Sequence, residues 1–134
     1  RPDLKVLDFD PSSDEFAQFS IVWPNSWDKG TITFKAFFTV TGTNTGSVAW
    51  GLAGVAITDD ETINTAFPTP TVATAKAHSG TSNDLNVTAE SGAVTISGTP
   101  ANDDMVFFQV NRDVSADDQS GDARLLGIKI NFII

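Results

Sequence analysis

Apolar and polar residues alternate along segment 31–40, TITFKAFFTV. One side would carry five apolar residues: Ile32, Phe34, Ala36, Phe38 and Val40. The other side carries threonines and a lysine, with Phe37 as an apolar exception. This period of two predicts a strand with one buried face.

The same pattern recurs along the chain and predicts an all-β protein. A short strand is expected at 5–9, long strands at 16–23, 47–58, 105–113 and 123–134, and weaker ones at 71–77, 84–90 and 93–97. Turn residues separate them, and strands do not alternate regularly with helices, so we expect an antiparallel β-sandwich of jelly-roll type. The last strand should run to Ile134 and be paired in a sheet or buried between subunits.

One short helix is expected near residues 59–66. Thr58 and Glu61 have the spacing of a capping box, in which each end residue satisfies the other's backbone N–H. Pro68 and Pro70 would end the helix.

Length and composition favour one domain spanning 1–134. The chain has 134 residues, is 40% hydrophobic and lacks cysteine, which excludes disulfides and thiolate metal sites. It enters a strand almost at its first residue, as the C-terminal part of a longer chain would. Its net charge of -9 argues against nucleic-acid partners, and its apolar runs are too short to predict membrane insertion.

Catalytic motifs are not recognisable. His78 is the single histidine, and it lies in a Ser/Gly/Thr loop without a nucleophile motif. Glycine-rich phosphate loops and zinc motifs are missing as well. We therefore expect a protein that is not an enzyme.

Acidic residues crowd the loop before the last strand: Asp113, Asp117, Asp118 and Asp122. Carboxylate oxygens suit calcium, so a structural calcium ion is one interpretation, although the spacing is not that of an EF-hand. Solvated surface acids are the other. Arg112 and Arg124 flank the loop and are expected to pair with its carboxylates. No other cofactor is predicted.

The three tryptophans have different settings. Trp23 continues the apolar face of its strand, and Trp50 lies in an apolar strand, so both are expected in the core. Trp27 lies in a turn with Asn25 and Asp28. It would plug the end of the sandwich, stack on a sugar together with those two residues, or pack on a neighbouring subunit.

Several segments together resemble a domain found at the C-terminal end of virion proteins of tailed bacteriophages. They are FAQFSIVWPNSWDKGTITFKAFFTV, VAWGLAGVAITDDETINTAF, GTSNDL, AVTISGTPANDDMVFFQVNRDV and DARLLGIKINF. The resemblance implies a head-fibre, tail-fibre or tail-tip module located on the virion. It also implies a homotrimer that caps a fibre and adheres to a host-surface glycan.

The leading hypothesis is thus a non-enzymatic virion structural or receptor-binding domain. Phe37 and Ile133 interrupt the polar faces of their strands and are candidates for a subunit interface, although a covering sheet would also explain them. Two alternatives remain: a carbohydrate-binding module of a secreted bacterial protein, and a capsid-decorating domain without a ligand.

Overall fold

A computed structural model describes Arg1 and residues 5–134. These residues form ten strands and one 3-10 turn, Val114–Ala116. The strands are β1 Leu7–Phe9, β2 Phe16–Val22, β3 Thr33–Val40, β4 Ser47–Val48, β5 Trp50–Ile57, β6 Thr71–Val72, β7 Lys76–Ala77, β8 Asn86–Val87, β9 Met105–Arg112 and β10 Ala123–Asn131.

Eight of the strands form two four-stranded sheets. Sheet 1 has the order β1-β10-β3-β8 and sheet 2 the order β2-β9-β5-β6, while β4 and β7 form a separate pair. Every pairing between these strands is antiparallel. The chain crosses between the sheets so that the first and last strands are neighbours, which is the strand order of a jelly roll. The predicted fold class is confirmed.

The core lies between the sheets and is rich in aromatic side chains. β3 contributes the buried side predicted from its alternation, including Phe34 and Phe38. Trp50 is fully buried on β5, with its ring 5.1 Å from that of Phe9 and 5.8 Å from that of Phe38. Aromatic pairs at these separations stabilise a core beyond the area that they bury.

The helix predicted near 59–66 is wrong. Only one of the two capping-box bonds forms: the Thr58 N–H donates to Glu61 Oε2 at 3.2 Å, whereas the Glu61 N–H donates to the Thr58 backbone carbonyl at 3.1 Å and not to the Thr58 hydroxyl. These two bonds belong to a single tight turn, because Asp60 has a φ of 67° and diverts the chain from the helical path. Residues 59–66 are all exposed. A short helix without a packed face is not stable in water.

The last strand also departs from the prediction. A β-bulge between Leu125 and Gly127 shifts the register, so Leu125 and Ile128 both pack on the core. β10 ends at Asn131, and the exposed final two residues lie outside it.

Glu90 joins the paired ends of β3 and β10. Its Oε1 accepts hydrogen bonds from Thr33 Oγ1 at 2.8 Å and Asn131 Nδ2 at 2.9 Å. The Thr33 bond first, and then the Asn131 bond, hold the pKa of Glu90 below its ordinary value of 4.5. Lys35 and Lys129 lower this pKa further.

This geometry predicts a pH-dependent contribution to stability. A carboxyl group whose pKa is lowered by folding stabilises the fold above its unfolded pKa, and the stabilisation is lost as the pH falls through the folded pKa. We therefore expect Glu90→Gln to lose less stability than the wild type when the pH falls below 4.5. Urea unfolding midpoints from pH 6 to about pH 3 measure the difference. Parallel profiles for the two proteins would contradict this role of Glu90.

Candidate functional site

Trp23 and Trp27 close one end of the sandwich. Trp27 is only 3% exposed and belongs to the core cluster. The backbone N–H of Trp27 donates to the Pro24 carbonyl at 3.0 Å. This bond closes the turn and directs the indole ring inward. Trp23 is half-buried over it, with ring centroids 5.2 Å apart, and also lies 5.2 Å from the Phe132 ring.

The sugar platform proposed at Trp27 is therefore wrong, because a buried ring has no face for a sugar. Its predicted companions, Asn25 and Asp28, are exposed on the same turn. Asp28 Oδ1 accepts the Gly30 N–H at 2.8 Å, and the Asp28 N–H donates to the Ile133 carbonyl, also at 2.8 Å. This turn thus fastens the C-terminal residues and acts as the predicted plug.

At the opposite end, Arg112 organises the acidic loop. The Arg112 and Asp117 side chains are 0% and 2% exposed, and Nε lies 2.7 Å from Asp117 Oδ2. Nη2 donates to Asp117 Oδ1 and to the Gln119 carbonyl, and Nη1 donates to the carbonyls of Phe9 and Gly121. The guanidinium group has five N–H donors, and these five bonds use them all. The predicted pairing is confirmed for Arg112, whereas Arg124 pairs with Asp8 of β1.

The same contacts argue against the calcium site. Asp117 is held by Arg112, and Asp118 Oδ1 accepts the Ser47 N–H at 2.5 Å. Asp113 Oδ1 caps the 3-10 turn by accepting from the N–H and hydroxyl of Ser115, and Asp122 is exposed. In residues 1 and 5–134, no group of three or more acidic or histidine side chains is placed to hold a metal ion. Three of the four aspartates therefore accept hydrogen bonds from protein donors, and within the described part of the chain Asp117 alone among them is paired with a cationic side chain.

His78 lies in the same end of the sandwich and is buried among loops. Its Nδ1 lies 3.0 Å from the Asn44 carbonyl oxygen. The Gln119 side chain donates to that carbonyl at 2.9 Å and to the Gly46 carbonyl at 3.0 Å. The imidazole is thus part of the packing between loops.

The predicted interface residues Phe37 and Ile133 do not share one patch. Phe37 is half-buried on the outer face of sheet 1, opposite Gly127 on β10 and Val87 on β8. Ile133 is exposed beyond the end of β10. The six residue steps from Gly127 to Ile133 would span about 20 Å in an extended chain.

A groove of about 370 Å³ runs along the open side of the sandwich, between β1 and β10 of sheet 1 and β2 of sheet 2. We call it the edge groove. Its lining is mainly apolar and includes Leu7, Ala17, Phe19, Leu126 and Ile128.

Two strand edges border the edge groove. β1 pairs with β10 only through residues 123–125, so residues 127–131 of β10 have a strand partner on the β3 side alone within the described part of the chain. β2 is the outer strand of sheet 2 on the side of the groove. Unpaired backbone groups beside an apolar groove are a template for another strand.

The sequence interpretation missed the edge groove, because strand patterns do not show which edges stay open. Gly127 was the available signal, since a glycine inside an apolar strand is typical of a bulge. The shift at this bulge turns Leu126 toward the groove.

Comparisons with known proteins give no relative: no family model, curated protein or solved structure matches the chain. Among the described residues, no helix is long and apolar enough to span a membrane.

Proposed function

We propose that this chain is a non-enzymatic structural and receptor-binding domain of a bacteriophage virion. In this proposal it forms a homotrimer that caps a fibre or spike and presents a surface to the host. The resemblance of its strand and turn sequences to phage virion domains supports the proposal. The jelly-roll strand order is also frequent among viral capsid and lectin domains.

The observation that carries the assembly part is the edge groove. Leu7 is 52% exposed there, next to apolar side chains of β2 and β10. A strand from a second copy would cover this surface and pair with the β10 edge. Such a contact joins two different surfaces, the edge groove of one copy and a strand of the next. Contacts of this kind close into a ring when the rotation that relates neighbouring copies is a whole fraction of a full turn. A trimer is the smallest ring larger than a dimer.

Solution mass tests the assembly. We expect light scattering to give three times the 14.2 kDa of the chain near neutral pH, with or without a calcium chelator. Leu7→Glu should yield monomers, because it places a charge in the edge groove. Leu85→Glu is the matched control, because Leu85 is 60% exposed and lies outside the edge groove. This variant should remain a trimer.

A monomeric wild type would contradict the trimer, and a trimer unaffected by Leu7→Glu would place the interface elsewhere. A monomer that binds glycans would instead support a carbohydrate-binding module. A trimer without glycan binding would support a decorating domain.

A further inference from the structure

The outer face of sheet 2 carries a second groove, distinct from the edge groove. One row across this sheet runs Phe16, Asn111, Gly51 and Val72, each in register with the next. Phe16 and Val72 stand at the two ends of the row, about 14 Å apart at three strand spacings. We call the space between them the face groove; its volume is about 420 Å³.

Asn111 forms part of the face groove and is an unusual buried amide. It is 5% exposed, and its Oδ1 has no hydrogen-bond partner among the described residues. The neighbouring glycine makes room for it, because a Cβ on Gly51 would lie 2.5 Å from Asn111 Oδ1. An unpaired buried polar atom opposes folding, so its presence beside a groove calls for an explanation.

The surroundings of Asn111 specify the chemistry of a ligand. Asp14 and Asp113, which only accept hydrogen bonds, also border the face groove. The remaining polar side chains of the lining can both donate and accept: Thr69, Gln109 and Ser115. Phe16 is 55% exposed and offers an apolar wall. A ligand that fits must combine several hydrogen-bond donors with an apolar face.

We propose that the face groove binds a neutral carbohydrate. Sugar hydroxyls would donate to Asn111 and the two aspartates, while the C–H face of a sugar ring would pack against Phe16. An anionic ligand would meet Asp14 and Asp113 in a chain of net charge -9 and be repelled. The proposal specifies the receptor-binding part of the proposed function, but it does not depend on trimer formation.

Amide chemical shifts test the proposal directly. We would titrate ¹⁵N-labelled protein with glucose, galactose, mannose, N-acetylglucosamine and rhamnose at millimolar concentrations, and screen a glycan array in parallel. At least one sugar should shift the amide signals of Phe16, Gly51, Asn111 and Val72. Phe16→Ala and Asn111→Ala should each weaken its binding by about tenfold or more.

Two control variants separate binding from folding. Val22→Ala changes an equally exposed apolar residue, 57% exposed, on the same outer face, about 20 Å along β2 from Phe16, and should leave binding unchanged. Asn86→Ala removes another buried side-chain amide, which donates to the Asp84 carbonyl. This variant should lower the melting temperature without changing the affinity for the sugar. Asn111→Ala should show the reverse pattern, with a melting temperature within about 5 °C of the wild type.

Shifts confined to other surfaces would overturn the proposal, as would the absence of binding to all five sugars and to the array. Phe16→Ala keeps the test decisive if Asn111→Ala does not fold, because an exposed side chain contributes little to folding. If no sugar binds at the face groove but the protein is a trimer, the assembly part of the proposed function is retained. A monomer that binds sugar at this groove would confirm the face-groove proposal, contradict the trimer and support a carbohydrate-binding module.

Discussion

Replacing Arg112 with methionine is expected to lower the free energy of unfolding by about 3–5 kcal/mol. The change leaves the Asp117 carboxylate buried without its cation and removes the donor to the Phe9 carbonyl. Both effects leave buried polar groups unpaired, which costs more than the ion pair itself contributes. Urea unfolding followed by tryptophan fluorescence at pH 7 measures the loss.

Arg124→Met provides the matched control. Arg124 and Asp8 form the other ion pair of the described residues, with side chains 39% and 52% exposed. Exposed pairs contribute about 0–1 kcal/mol, so this variant should stay close to the wild type. Equal losses for the two variants would show that burial of Arg112 does not govern the stability of this loop.

Replacing Trp27 with alanine should also destabilise the protein strongly. We expect a loss of about 3–5 kcal/mol, because the change opens a cavity beneath Trp23 at the end of the sandwich. Circular dichroism during urea unfolding is the suitable measurement, since the substitution also removes a fluorophore.

Two comparisons make the Trp27 result specific. Trp27→Phe should lose less than the alanine variant, because it keeps an aromatic ring and discards an indole N–H that has no partner among the described residues. Asn25→Ala, on the exposed part of the turn, should change stability by less than about 0.5 kcal/mol. A stable Trp27→Ala variant would mean that the ring does not plug the core.

Hydrophobic alternation predicted the strands well where one face is buried and the other faces solvent. β3 and β9 appear close to their predicted bounds for this reason. The weaker segments fared differently: 71–77 is divided between β6 and β7, and 93–97 contributes only isolated bridges at Val94 and Ser97. Short stretches depend on their neighbours for pairing, which a local pattern does not contain.

The candidate sites show the same limit of local patterns. The turn around Trp27 was correctly located, but its sequence is compatible with a ring directed outward or inward. The four aspartates were read as ligands or as solvated acids. Asp117 is bound by the nearby Arg112, as predicted, whereas Asp118 is bound by the backbone N–H of Ser47, which is 71 residues away in the sequence. Phe16 carried a usable signal, because it is apolar at a position alternating with the inward residues Ala17 and Phe19.

The sequence by itself determined the β class, the inward faces of the long strands and the excess of negative charge. These features follow from residue type and a period of two, both of which are local. Tertiary structure alone decided which strand edges stay open, which carboxylates find donors and which polar atoms remain unpaired. The reason is that those outcomes depend on contacts between distant residues, such as Arg112 with Phe9, and on a bulge that shifts the register of β10.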